Sequence, residues 1–309
     1  MDSQSNTFKI TPEISAAIKN MNPVVALEST VITHGLPVPQ NLELARNMEQ
    51  IVNEGNALPA TIAVLDGQVH IGLEDAELEN LASSRDSHKI SARDFGPAAA
   101  HRWNGGTTVA ATLIACRMSG IRVFATGGIG GVHRGSNFDV SSDLIELGRS
   151  QVIVVCAGAK SILDLPATLE VLETQGVPVV GFGVDEFPAF YSTSSGLRLE
   201  SRVDTAEEVA LIAKAHWKTG LKSAVLVVAP PPPADAISPQ VVEAWISRAE
   251  KDARLANVHG NAVTPFLLSR LAEISGNSTL KTNLSLLKNN AAIAAQIACA
   301  LFPEKKLVV

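Results

Sequence analysis

Residues 121–161, IRVFATGGIGGVHRGSNFDVSSDLIELGRSQVIVVCAGAKS, decide the fold class. Two short apolar runs, IRVFATGG (121–128) and QVIVVCAG (151–158), enclose a glycine-rich turn and a segment of helical periodicity at 141–149. Short β-rich runs alternating with helical segments mark α/β architecture. The pattern continues outward, with strands predicted at VVALEST (24–30), TIAVLDGQVHIGL (61–73), VPVVGFG (177–183) and SAVLVVA (223–229). Helices are predicted at 41–54, 74–84, 107–119, 165–175, 204–218, 238–257, 264–275 and 283–301, with Gly55 and Gly120 as stop residues. Asp66-Gly67 is a type I′ turn signal joining two short strands as a hairpin, so the sheet is expected to be mixed.

The chain has 309 residues, 46% hydrophobic and 18% charged, and a mean hydropathy of +0.19, a composition that excludes wholesale disorder. One large α/β domain over 1–309 is expected, with an exposed turn or linker at 230–234, where Pro230 to Pro233 must leave the sheet. A formal charge of −6 without a dense Lys/Arg cluster argues against a nucleic-acid partner. No apolar run approaches the roughly 18 to 20 residues that span a bilayer, and the N-terminal MDSQSNTFKITPEI lacks the apolar stretch of a secretory signal. No membrane association and a cytoplasmic location are therefore expected, and the C-terminal KKLVV is not the peroxisomal SKL signal. Cys116, Cys156 and Cys299 lie in separate apolar runs and read as buried thiols.

Ligands of open α/β sheets gather beyond the carboxyl ends of strands, so polar residues that interrupt the pattern there come first. Glu28 breaks the run in VVALESTVITHG, followed by Ser29, Thr30 and His34; it is either an exposed strand-end carboxylate or a buried carboxyl able to act as an acid. The glycines of GGIGG (127–131) either shape a structural turn or let backbone N–H groups approach an anion, with His133 and Arg134 adding contacts. In FDVSSD (138–143), Asp139 or Ser141 caps a helix, or one Asp holds a hard divalent cation while Ser141, Ser142 and the helix start hold phosphate. Lys160 emerges from VIVVCAGA without the glycines of a P-loop; it either snorkels or supplies an imine-forming amine. Lys89 and Asn283 are weaker singletons, and His70, His88, His101, His216 and His259 have no ligand-like spacing.

LESTVITHGLPVPQN, GTTVAATL, ATGGIGGVHRG, FDVSSDLIELGR, VVCAGAKSILDLPATLEVLETQGVPVVGF, DEFPAFY, VTPFLL and NLSLLKNNAAIAAQIA, in that order over about residues 10–302, resemble the pseudouridine-5′-phosphate glycosidase (indigoidine synthase A-like) family. The resemblance implies a three-layer α/β/α fold with a mixed central sheet and a helical C-terminal part, assembled as a homotrimer. It also implies reversible cleavage of pseudouridine 5′-phosphate to uracil and ribose 5-phosphate with a divalent metal, usually manganese. Carried over by position, Lys160 is the nucleophile, Glu28 the proton donor and Asp139 the metal ligand. Lys89, Val109, Ser141, Ser142 and Asp143 become substrate-binding, and Thr126, His133 and Asn283 line the same pocket. Two departures stand out: Ala92, where many members carry Arg, and a short segment between HRG and FD. The alternatives are a related C-glycoside synthase acting on another base, a non-catalytic phosphosugar-binding protein and a generic Schiff-base aldolase.

Overall fold

VVAL (24–27), VFA (123–125), IVVC (153–156) and VLVV (225–228) contain no polar side chain, and all four form strands buried on both faces. A computed structural model describes residues 7–135, 139–258 and 263–303. The terminal MDSQSN and EKKLVV, the segment 136–138 between HRG and the following Asp139, and His259 lie outside the described residues. The strands are β1 (Phe8–Ile10), β2 (Val24–Leu27), β3 (Leu58–Leu65), β4 (Gln68–Ile71), β5 (His88–Ile90), β6 (Gly105–Thr107), β7 (Val123–Ala125), β8 (Val132–His133), β9 (Ile153–Cys156), β10 (Leu163–Asp164), β11 (Val179–Phe182), β12 (Ser201–Val203) and β13 (Val225–Val228). The α-helices are α1 (Pro12–Lys19), α2 (Gln40–Glu54), α3 (Asp75–Ser83), α4 (Phe95–His101), α5 (Val109–Ser119), α6 (Ser142–Leu147), α7 (Leu165–Thr174), α8 (Ala206–Lys218), α9 (Pro239–Leu255), α10 (Val263–Ile274) and α11 (Ser278–Leu301).

The main sheet runs β1-β4-β3-β2-β7-β9-β13-β11-β12, with β6 paired to β3 and β5 to β6. From β3 through β2 to β12 the neighbours are parallel, whereas β4 and β6 run antiparallel to β3, so the sheet is mixed as expected. Asp66 and Gly67 both take positive φ (51° and 77°) in the β3–β4 turn, the conformation a type I′ hairpin requires. Helices flank the sheet in a three-layer α/β/α arrangement, with α11 lying across β2, β7 and β9 and packing on α2 and α8.

Several predicted boundaries shift for identifiable reasons. The run at 24–30 ends as a strand at Leu27, and Val31–Gly35 winds into a π-helical turn instead. The helix predicted from 107 starts at Val109, because Gly105–Thr107 is claimed by the sheet and Thr108 caps the helix through Ala111 N–H. Pro231 is buried and Pro230 and Pro232 half-buried, so the proline turn is exposed only at 233–234. Cys116 and Cys156 are buried, and burial pushes the Cys156 thiol up to about 12; Cys299, expected buried, is half-buried beside Gly55 O at 3.3 Å. By length and composition alone, α11 with its 24 residues is apolar enough to cross a membrane. Its packing on the sheet, with half of its most apolar window buried, makes it a core helix of this fold.

Gly55 ends α2 at φ −80°, which any residue tolerates, so its role lies in packing. A Cβ there would stand 2.6 Å from Ala295 Cβ on α11. Gly55→Ala should therefore destabilise the protein by about 1–3 kcal/mol through overpacking, read as a lower denaturation midpoint.

Candidate active site

The chain leaves β2 for β3 on one side, while β7 adjoins β2 on the other. Such a reversal of strand order opens a crevice at the carboxyl ends of the strands. Glu28 follows β2, Thr126 follows β7 and Lys160 follows β9, so three adjacent strands deliver a carboxyl, a hydroxyl and an amine to the same end of the sheet. Their loops are fixed by backbone bonds. Thr126 N–H donates to Val155 O (3.0 Å), Lys160 N–H to Ile129 O (3.1 Å), and Asn290 Nδ2 on α11 donates to Thr126 O (2.8 Å). Gly158 (φ +85°) turns the chain before Lys160, and a Cβ there would meet Pro188 O at 2.3 Å.

Glu28 and Lys160 open on one cavity, walled on its other sides by α10, α11, Phe190 and Tyr191. Glu28, Lys89, Lys160 and Asn283 all line it, so four of the sequence-selected residues converge. Thr126 donates its hydroxyl to Glu28 Oε1 from just behind. Burial pushes the Glu28 carboxyl above its ordinary value and outweighs the opposing Lys160 charge and Thr126 hydrogen bond. Burial, then the Lys160 charge, lowers Lys89, against the pull of Asp143 and Glu28. Glu28 is half-buried by area, and its carboxyl faces the cavity with a raised pKa.

Thr30, His34, Gly127 and Gly128 line it too, whereas Val109, Thr126, His133, Asp139, Ser141, Ser142 and Asp143 do not. Asp143 is 6% exposed and accepts the N–H groups of Ala110 (2.9 Å) and Gly130 (2.8 Å), fastening α6 to the start of α5 and to the glycine loop. Ser141 caps α6, accepting Asp143 N–H, and Ser142 Oγ meets Ser91 Oγ at 2.9 Å. Val109 is buried at the first position of α5, where its N–H has no acceptor among the described residues. The GGIGG glycines make close approaches to protein groups. A Cβ would strike the Phe190 ring at Gly128, Ser141 Oγ at Gly130 and Thr168 Oγ1 at Gly131. Arg134 pairs with Glu243 and holds Ser161 O and Leu163 O, bracing the loop after Lys160.

Asp139 is exposed, and its Oδ2 lies 4.0 Å from His133 Nδ1. Among the described residues no three His, Cys, Asp or Glu side chains cluster as a metal cage. One carboxylate with an imidazole nearby suits a hydrated divalent cation that keeps most of its waters. The other histidines have structural settings: His70 pairs with Glu77 (3.1 Å), His88 stacks on Trp103 (4.0 Å), His101 stacks on the same ring (5.8 Å) and His216 meets Ser223 (2.8 Å).

Sequence reasoning named His34 after Glu28 without giving it a role and passed over Phe190 and Tyr191; all three line the cavity. His34 is bonded to Thr33 Oγ1 (2.7 Å) and held toward its neutral form by burial, then by the Lys89 and His88 charges. Its signal was its place just beyond Glu28; Phe190 and Tyr191 showed only as part of DEFPAFY.

Fold and site together define an α/β/α protein with an amine and a carboxyl of raised pKa facing one cavity, the equipment of an enzyme acting on a small polar substrate. The chain belongs to the indigoidine synthase A-like family, whose model matches residues 13–300. It is 56% identical over 295 residues to a pseudouridine-5′-phosphate glycosidase of Herpetosiphon aurantiacus, covering 95% of this chain and 97% of that one. It is 50% identical to the enzyme of the same name from Solibacter usitatus, over 95% and 99% of the two chains. Among solved structures, the prealnumycin C-glycosynthase AlnA in complex with ribulose 5-phosphate superposes with a TM-score of 0.88 at 39% identity, covering 97% of this chain and 98% of that one. An indigoidine synthase A-like protein from Thermotoga maritima gives 0.87 at 36%, covering 96% and 98%.

Two outcomes follow from the site's electrostatics. Asp143→Ala leaves two buried N–H groups without acceptors and should cost about 1–3 kcal/mol for each, with Asp143→Asn intermediate, read from urea midpoints. Glu28 keeps its proton in the folded state above the pH at which the unfolded chain loses it, near the ordinary value of 4.5. Its contribution to stability is therefore full below that pH and lost as pH rises through the raised value. Glu28→Gln should melt like wild type at low pH and increasingly above it as pH rises.

Proposed function

We propose that this chain is a pseudouridine-5′-phosphate glycosidase, reversibly cleaving the carbon–carbon glycosidic bond to give uracil and ribose 5-phosphate. The observation that carries the reading is that Lys160 and a Glu28 of raised pKa share one cavity, in a chain whose curated relatives bear that name. A C-glycoside has no leaving heteroatom to protonate, so the two-carboxylate logic of ordinary glycosidases does not apply. An amine resolves this by making C1′ an electron sink.

In the proposed sequence the neutral Lys160 Nζ attacks C1′, the C1′–O4′ bond breaks, and O4′ takes the proton that the attacking nitrogen sheds as the ribose ring opens. Glu28 then gives its proton to uracil C5, for which a carboxyl kept neutral by burial is suited. The nitrogen lone pair forms the C1′=N iminium as the C1′–C5 pair passes to the base. Water hydrolyses the iminium, releasing ribose 5-phosphate and the free amine. Thr126 holds Glu28 in place through its hydroxyl. Lys89, the Ser142 hydroxyl and the Val109 N–H at the start of α5 are assigned to the phosphate, whose binding energy would align C1′ with the amine.

Asp139, with His133 beside it, would hold the divalent cation, manganese in this reading. When bound, the cation supplies positive charge beside the anionic substrate. A homotrimer is the assembly inferred from the resemblance, checked by sedimentation equilibrium. The 39% identity to a C-glycosynthase favours one alternative, synthesis on a different base, which product analysis over several bases would separate.

The deciding experiment follows uracil release from pseudouridine 5′-phosphate with manganese and with a chelator. Wild type should release uracil, and Lys160→Ala should lose turnover by several orders of magnitude while keeping its fold. Glu28→Gln should lose it too, and Asp139→Ala should weaken manganese dependence. Borohydride with ribose 5-phosphate should trap a covalent adduct on wild type and not on Lys160→Ala; turnover surviving in that variant would end the imine mechanism.

A further inference from the structure

Tyr191 is the one tyrosine of the chain and is 3% exposed. Its ring meets Phe190 edge-on, with centroids 4.8 Å apart and planes at 74°. Its carbonyl accepts Ile237 N–H (2.8 Å), which fixes the backbone. No group among the described residues hydrogen-bonds the phenol oxygen, and the side chain lines the cavity. A phenol on a cavity wall with no protein partner has its hydrogen bond to give to a ligand.

The surrounding chain is shaped to present this side chain. Phe190 stands at φ +61°, a conformation that bulky residues avoid, and its N–H is tied to Ala157 O (3.1 Å). Gly128 makes room for its ring, since a Cβ there would lie 2.6 Å from it. Gly127 packs against Leu287, and Asn283 lies one helical turn before Leu287 on the same face of α11. Phe190, Leu287, Asn283 and Tyr191 thus form a neutral, largely apolar wall of a cavity that also holds Glu28, Lys89 and Lys160. Burial alone raises the phenol's pKa, with no contribution from those three charges, so the group stays a protonated donor.

We propose that Tyr191 is a specificity-determining residue that touches the substrate, its hydroxyl donating a hydrogen bond to a carbonyl oxygen of the planar base. The assignment rests on the glycosidase reading, in which the charged groups serve the phosphosugar and the reacting bond. A flat ring bearing carbonyl groups matches an aromatic and aliphatic wall with few neutral polar groups.

The test is calorimetric titration of uracil, 2-thiouracil and 4-thiouracil into wild type and Tyr191→Phe in the presence of ribose 5-phosphate, with ribose 5-phosphate also titrated alone. Tyr191→Phe should weaken uracil about tenfold, the order of one neutral hydrogen bond, and leave ribose 5-phosphate unchanged. It should also erase the wild-type preference for uracil over one of the thio analogues, since sulfur accepts a hydrogen bond poorly. Its melting temperature should equal or exceed wild type, because the lost hydroxyl has no protein partner; a structural hydroxyl would instead lower it. Unchanged uracil affinity in Tyr191→Phe, or equal losses for base and sugar phosphate, overturns the assignment while leaving the glycosidase reading standing. A wild type that binds ribose 5-phosphate and no base overturns both.

Discussion

Three parallel strands, β2, β7 and β9, lie side by side with both faces buried, and their carboxyl ends leave backbone groups that no ladder can satisfy. The rest of the site is arranged around meeting that need. Asn290 reaches from the core helix to Thr126 O, and Ser29 Oγ gives its proton to Ile62 O while accepting Thr107 N–H. Asp143 takes Gly130 N–H, and Phe190 N–H closes on Ala157 O. Each bond pins a loop that carries or borders a functional side chain. Positioning and satisfaction of the backbone are here one requirement, and that is how a carboxyl and an amine from separate strands come to face one cavity.

The electrostatics of the cleft follow from the same enclosure. Glu28 feels two lysines and a hydroxyl that favour its ionised form, yet desolvation is the largest influence and the carboxyl stays raised. Lys89 is lowered in spite of two carboxylates nearby, again through burial first. A water-filled groove with the same residues would return both toward ordinary values. The wall formed by α10 and α11 with Phe190 and Tyr191 therefore shapes these proton affinities as much as the titrating groups themselves do.

What could be read from the sequence were the places where one polar residue stands against a strong apolar pattern. Glu28 after VVAL and Lys160 after VIVVCAGA are of this kind, as is the Asp66-Gly67 turn, whose conformation two residues dictate. β5 and β6 were invisible because HKI and GGT are three residues each and become strands only by pairing with each other and, for β6, with β3. The glycine loop was open to misreading, since a glycine needed for close approach does not say what approaches; here it is Phe190, Ser141 and Thr168. Asp143 shows the same limit: a carboxylate near a helix start fits substrate binding and backbone clamping equally until its acceptors are seen. Tyr191 sits in a loop without periodicity, so no pattern singles it out.

Burial of an acid does not by itself identify a functional one, and this chain supplies the controls. Glu49 is also raised by burial, but its Oε1 accepts the Thr61 hydroxyl between α2 and β3, and it has no place on the cavity wall. Glu146 is 6% exposed with one carboxylate oxygen buried and unbonded, and its nearest cations, Arg117 and Arg149, stand 3.7 and 3.8 Å away. Asp143 is as deeply buried and spends its oxygens on two backbone donors. Glu28 alone among these four joins a raised proton affinity to a wall of the cavity that Lys160 shares. Proton affinity sets what a group can give, and access sets to whom; the reaction needs both at one atom, which is why the acid is sought at a strand end facing a cleft and not wherever a carboxyl is buried.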